Sequence, residues 1–420
     1  MVILKNMPFS INFLQKEEQN MRRKLLTLAI FISLLCSTNI TVQATTNSVT
    51  SENDLIQAQQ CIDDFFYAYE DVKNEYNASE AMEIINTLAS NEIQSKVVLA
   101  NTKDKQSLEN KSYLNTVQYM LQRREYIEKV SDIDETEYNK KLDITITDFN
   151  KQNNCLEVIV DVLKTWNYSF SQDVESAARD TYKVSLILEN GKYVIRNITG
   201  FGDSIFDEEL KACNDQISQT TKERMMNELK SNFTLELEER KEGIQLEQQD
   251  ANEKATSGTY DGGKASNYAL DHALNYNPNY ANFNGSGGDC TNFISQCLKA
   301  GGISQHVGTA YSGNCWYYKT STNRSSTWTG ANEFRLYVTG SSSKINMPTS
   351  SWGSVTYGDI IQLMNGSTAA HSLIVSGVVY GSSGRSDILI CCHTSDKRHA
   401  SLNTYFAGST KKYYHVKGNK

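Results

Sequence analysis

Proline is nearly missing from this chain, with three in 420 residues, too few for a long rigid spacer between domains. Positive charge is in deficit. Lys and Arg number 41 against 49 Asp and Glu. A phosphate-binding surface needs the opposite excess, so nucleic acid is not expected as a partner. No C-x-x-C pair occurs among the nine cysteines, which disfavours a zinc ribbon or a thioredoxin-type motif. Histidine is missing from the first 271 residues; His272, His306, His371, His393, His399 and His415 all lie beyond them. Any histidine-dependent chemistry therefore belongs to the C-terminal part of the chain.

What is present at the N-terminus reads as an export signal. Arg22, Arg23 and Lys24 precede a short apolar run from Leu25 to Cys36, less than the ~20 residues a membrane span needs. Val42-Gln43-Ala44 has the small-x-small form of a cleavage site. Residues 1–44 are expected to be a signal peptide, with Met21 a possible start and an uncleaved anchor as the alternative. Leu35 before Cys36 is larger than a lipidation site prefers. Export would permit disulfides among the other eight cysteines, though a chain of this size does not require them. A secreted or cell-wall-associated location follows as the expectation.

Residues 50–203 are expected to form an α+β domain. Leu55, Ala58, Ile62, Phe65, Phe66 and Tyr69 recur at helical spacing. Alternating apolar residues then mark strands at 142–146, 156–162 and 182–188, and Asn190-Gly191 supplies a hairpin turn onto 193–198. Helices followed by an antiparallel sheet resemble the cone-shaped, nuclear-transport-factor-like folds, an architectural likeness that carries no functional residue. Residues 204–257 are charged, with sparse apolar points at Leu210, Ile217, Leu229, Phe233 and Leu237. They read as a solvated helical arm or a coiled-coil surface. The C-terminal domain covers 258–420.

In that domain Gly285-Ser286-Gly287-Gly288 leads into Asp289-Cys290-Thr291-Asn292-Phe293. Asp289 suits a helix N-cap, and Gly301-Gly302 a stop after Ala300. Cys290 then lies in the first helical turn, where free N–H groups and the helix dipole favour a thiolate. The backbone N–H of Cys290 is a candidate oxyanion donor, with Asp289 and Asn292 beside it. The alternative is that Cys290 begins the apolar stripe of Phe293, Ile294, Cys297 and Leu298. His371, at the mouth of the apolar strand 372–378, is the candidate base. The returning strand, 387–394, sets His393 about opposite His371 as an orienting residue; a one-residue slip would turn it away and leave Asp396. His272 falls in the stripe of an earlier helix and is expected to be packed. No metal site is expected, because Cys392 and His393 would point to opposite faces. No cofactor is implied.

These residues are recognisable together. Tyr260-Asp261, Tyr268-Ala269, Asn277-Pro278-Asn279-Tyr280, Gly288 to Gln296, Gly301-Gly302, Trp316-Tyr317, Trp328 to Phe334, Gly358-Asp359 and His371-Ser372 resemble, in order, the Putative amidase domain family. Gly262-Gly263 depart from it, where members often carry a basic residue. The resemblance implies a papain-like fold related to CHAP and NlpC-type cell-wall hydrolases. It also implies a helix-borne Cys nucleophile, a His on the sheet and a polar third residue, here Cys290, His371 and His393. Tyr280, Trp316 and Trp328 could line a groove for a peptide or peptidoglycan substrate. The function expected is a secreted cysteine-dependent amide hydrolase. The alternative is a non-catalytic surface-binding protein on a degenerate amidase scaffold.

Overall fold

The computed structural model of the protein describes residues 52–70, 77–94, 111–131, 136–250 (backbone alone from 242), 260–381 and 384–420. The expected signal peptide and the expected boundary between 257 and 258 lie outside the described residues. Among those described, no helix is long and apolar enough to cross a membrane.

The first apolar stripe folds as helix α1 (Glu52–Glu70), with all six stripe residues buried. Helix α2 (Ala78–Leu88) starts at a capping box between Asn77 and Glu80, and α3 (Tyr113–Val130) follows. The alternating segments become the antiparallel strands β1 (Glu137–Gln152), β2 (Cys155–Tyr168), β3 (Ser171–Glu189) and β4 (Lys192–Thr199). Strand β2 alternates half-buried and buried residues along its whole length, as a sheet with one face on a helical core must. Asn190 and Gly191 take the left-handed conformation, φ 51° and 79°, that closes the β3–β4 hairpin.

Two short helices, α4 (Phe201–Ser204) and α5 (Glu208–Ala212), lead to the long α6 (Gln219–Asp250). The sparse apolar points of this region do not stay in solvent. Leu210, Ile217, Leu229 and Phe233 are buried, and the carboxylate of Glu236 on α6 is 2.8 Å from the Lys411 ammonium in the C-terminal domain. The segment is a packed strut rather than a solvated arm, because Met225 and Met226, both buried, widen a stripe that looked too thin.

The C-terminal domain opens with α7 (Gly262–His272) and α8 (Cys290–Ala300), then α9 (Ser326–Thr329) and α10 (Ala331–Thr339). The strands β5 (Ile345–Asn346), β6 (Thr349–Ser350), β7 (Ile360–Asn365), β8 (Thr368–Gly381), β9 (Gly384–Cys392) and β10 (Asp396–Ser401) follow. Helix α11 (Leu402–Phe406), β11 (Lys411–Tyr414) and β12 (Gly418–Asn419) complete it. Gly262 sits where a β-carbon would run into the carbonyl oxygen of Tyr357. That close approach accounts for glycine where a basic residue was the expectation.

The two parts of the chain share one sheet. Its order is β1-β2-β3-β10-β9-β8-β7-β11-β6, with β4 on β3. The junction is antiparallel pairing of Ala177, Ala178 and Arg179 on β3 with Arg398, Lys397 and Asp396 on β10. Around it, the fully buried Lys397 ammonium lies 2.8 Å from Asp180, and Arg123 donates to the carbonyls of Thr404 (2.7 Å) and Tyr405 (3.1 Å). This mixed α/β architecture, with a large antiparallel sheet, brings α4 and α5 onto the C-terminal domain.

Candidate active site

Helix α8 begins at Cys290 and ends at Ala300 with Gly301 as its cap, as the sequence predicts. Phe293, Ile294, Cys297 and Leu298 are fully buried, and the three larger ones are each worth roughly 1.5–3 kcal/mol as buried apolar side chains. They press the helix onto the face of the sheet that carries Ile360, Ile374 and Cys391. Gly287 and Gly288, at φ 100° and 108°, turn the chain into the helix. The backbone N–H of Asp289 donates to Thr394 Oγ1 at 2.7 Å, which ties that turn to the turn between β9 and β10.

Asp289 occupies the N-cap position, yet its side chain does not cap the helix. Oδ1 accepts from the Phe283 N–H and from Asn292 Nδ2, both at 2.9 Å. Oδ2 lies 2.6 Å from His393 Nδ1. The other nitrogen of His393 is 2.9 Å from the carbonyl oxygen of His272. Both ring nitrogens therefore lie within hydrogen-bond distance of an oxygen. Tyr276 and Phe293 stack on the ring, centroids 3.8 and 4.0 Å away. His393 is thus a clamp on the residue before Cys290, and it makes no hydrogen bond to His371.

The physical reason is register. Strands β8 and β9 slip by one between Tyr380 and Val379 and slip back at Ser376, so the offset of the Gly381–Gly384 pair returns at Ile374–Cys391. Carried on from Ile374–Cys391, that register would set His371 opposite Thr394, and it turns His393 towards α7 and α8. Asp396 does not replace it; its carboxylate accepts from Tyr276 Oη at 2.7 Å.

The Cys290 thiol lies 3.7 Å from Thr291 Oγ1 and against the backbone N–H of Ser372, the residue after His371. Thr291 Oγ1 is in turn 3.0 Å from Ser372 Oγ. Burial pushes the thiol up, and the hydrogen bonds from Thr291 and Ser372 only partly offset it. The helix N-terminus does not win here, because the sulfur is shielded from water.

His371 points to the opposite face of β8 from Ser372. Its ring stacks on Phe206, centroids 4.3 Å apart, with Phe406 at 6.0 Å. It is fully buried, and neither nitrogen has a hydrogen-bond partner among the described residues. Burial, then the charges of Lys211 and Lys397, lower its pKa to about 3. The other five histidines all have polar partners: Asn275 O for His272, Tyr337 for His306, Asp289 for His393, Ser376 for His399 and Asp359 for His415. A buried polar group without a partner is costly to keep, and that singles out His371. His272 itself is half-buried at the end of α7 rather than packed in the core.

Residues 259–416 match the model of the Putative amidase domain family. No curated protein and no solved structure matches the chain. The match covers Asp289, Cys290, His371, Ser372 and His393, but not Phe206 or Lys211, and supports an amidase-type hydrolase, acting on C–N bonds.

Three other expectations about the amidase domain change. Trp316 and Trp328 do not line a groove; both are fully buried, donating to Ser295 Oγ (3.0 Å) and Asn292 Oδ1 (2.8 Å). Asn292 is committed to that role, with its Nδ2 on Asp289 and on the Ala281 carbonyl, so its amide has no donor left for an oxyanion. Tyr280 is half-buried, stacked near Tyr318 and Trp328 and bonded to Lys299. The eight described cysteines are all free thiols. An open cleft of about 700 Å³ runs past the glycine turn, lined by Gly287, Gly288, Thr368 and Thr394 and, from the N-terminal part, by Phe206 and Lys211. Sequence reasoning missed Phe206, Ser372 and Thr394; only Ser372, next to His371 in the matched motif, carried a local signal.

Proposed function

We propose that this protein is an exported, cysteine-dependent amide hydrolase that uses Cys290 as nucleophile and His371 as general base, acting on peptide bonds of peptidoglycan. In this reading the amidase domain is papain-like and the N-terminal part is cone-shaped. The observation that carries it is the position of the Cys290 thiol at the start of α8, against the N–H that follows His371. The basic and apolar segment at 22–36 and the Val42-Gln43-Ala44 site support export.

In the described arrangement His371 packs on the face of β8 away from Cys290, so the reaction requires the imidazole to be carried round the start of the strand to the thiol. It then begins with transfer of the thiol proton to a neutral His371. The sulfur attacks the amide carbonyl carbon, and the negative charge on the carbonyl oxygen is met by the N–H of Cys290. The C–N bond breaks as the imidazolium returns the proton to the leaving amine. Water, deprotonated by His371, then cleaves the thioester and restores the thiol. His393 takes no proton in this scheme. It holds Asp289, and with it the turn into Cys290.

A second reading, a surface-binding protein on an inert scaffold, draws support from the burial of both groups. Incubation with peptidoglycan, beside the Cys290→Ala variant and read by mass spectrometry, separates the two. New amine-bearing fragments from the parent protein alone are the expected result. Equal release from both proteins would end the cysteine mechanism. No release, with alkylation of Cys290 slowed by His371→Ala, would keep the chemistry and discard the wall substrate.

A further inference from the structure

We propose that Arg324, held by Phe283 and Tyr311 beside the start of α8, binds a carboxylate, and that the peptide recognised by this domain presents a free carboxylate there. The identity of the ligand rests on the reading of the domain as a peptide amidase. The site itself rests on the residues around Arg324 and needs neither the thiol nor His371.

Arg324 is half-buried, and its Nε is shut off from solvent. None of its N–H donors meets an acceptor among the described residues. Every other buried or half-buried arginine among them donates to a carbonyl, an amide oxygen or a carboxylate. A guanidinium cannot shed its charge to suit its surroundings. Partial burial without an acceptor is therefore costly, and an anion from outside the chain removes the cost.

Two aromatic rings hold this cation. Its central carbon lies over both, 4.5 Å from the Phe283 centroid and 5.2 Å from that of Tyr311, within the ~6 Å reach of a cation–π contact. Such contacts use ring faces and leave the N–H fork uncommitted. Tyr311 stands in the left-handed region, φ 61°, which disfavours a bulky side chain. Its backbone N–H donates to the Arg324 carbonyl at 2.7 Å. The Tyr311 side chain is 57% exposed, so burial is not what the strained turn secures; the turn sets the ring against Arg324.

The cation is tied to the start of α8 from two directions. The Phe283 N–H donates to Asp289 Oδ1 at 2.9 Å, and the Phe283 carbonyl accepts from the Gly288 N–H at 3.2 Å. Arg324 also leads through Ser325 into α9, whose Trp328 donates to Asn292 Oδ1 at 2.8 Å. Gly288, Asp289 and Asn292 flank Cys290. Asp289 does not neutralise Arg324, because its oxygens are taken by Phe283, Asn292 and His393. A planar fork matches the two oxygens of a carboxylate. A carboxamide offers one acceptor and one donor, and loses that match.

The test is isothermal titration calorimetry of the full chain carrying Cys290→Ala, which prevents turnover. The probes are N-acetyl-L-alanyl-γ-D-glutamyl-L-lysine and the same peptide with every carboxylate converted to a carboxamide. The acid is expected to bind about tenfold tighter than the amide, equivalent to about 1.4 kcal/mol. Arg324→Gln should abolish this preference, and Arg324→Lys, which keeps the charge without the fork, should retain only part of it. Tyr311→Leu, with the guanidinium intact, should also reduce it. A merely structural Arg324 would leave the ratio of the two affinities unchanged. Equal affinity for acid and amide, no binding of the acid, or a preference that survives Arg324→Gln overturns the site. In that case Cys290-dependent release of peptidoglycan fragments would still leave the amidase reading standing. The preference without any such release would keep the carboxylate site and remove the reaction.

Discussion

Replacing His371 by leucine should stabilise the protein while abolishing hydrolysis. The imidazole is fully buried with two unsatisfied nitrogens, a burden of about 1–3 kcal/mol. Leucine fills a similar volume against Phe206 and Phe406 without one. The gain should grow in acid. His371 has a folded-state pKa of about 3 against an ordinary 6.5, because burial and then Lys211 and Lys397 oppose its charge. As pH falls, the unfolded chain takes up this proton first. The contribution of the neutral ring is complete above about pH 6.5 and is lost progressively towards pH 3. Between pH 7 and pH 5 that amounts to about 2 kcal/mol. His399, lowered to about 4 mainly by burial, changes in the same direction in both proteins and cancels in the difference. Guanidinium unfolding of parent and variant at pH 7, 6 and 5, followed by circular dichroism, measures the gap. A variant less stable than the parent at pH 7, or a gap that stays constant on acidification, would refute the argument.

Two further substitutions probe the surroundings of the site. His393→Ala leaves the Asp289 carboxylate buried without its partner 2.6 Å away and should cost about 3–5 kcal/mol. A cycle with Asp289→Asn, read by the same unfolding curves, should show coupling above about 1 kcal/mol, and independent effects would show that the contact is not formed. Lys411→Met removes the ammonium from Glu236 at 2.8 Å, a pair in which the two side chains are only 2% and 14% exposed. It should cost about 3 kcal/mol and unfold both parts of the chain together; a neutral substitution would mean that α6 is not anchored there.

Much of this was legible in the residues. The period of α1, the alternation in β2 and the Asn190-Gly191 turn are local signals, and each formed where it was expected. Helix α8 was legible to its last residue because Gly301 and Gly302 cannot be mistaken for helix interior. Asp289 was misjudged because a carboxylate beside a helix start has two uses, and its real partner lies 104 residues away. Trp316 and Trp328 were open to either reading, since aromatic residues serve grooves and cores alike; the polar partners Ser295 and Asn292 inside the fold made them core.

The sequence by itself determined the elements, the position of Cys290 at a helix start and the confinement of histidine chemistry to the C-terminal part, because these follow from short-range spacing and composition. The tertiary structure decided which histidine is which. The register of β9 against β8 sends His393 to Asp289, and pairing of β3 with β10 carries Phe206 onto His371. Register and long-range docking depend on the sum of many weak contacts across the sheet, and no local pattern around residue 206 records where its side chain comes to rest.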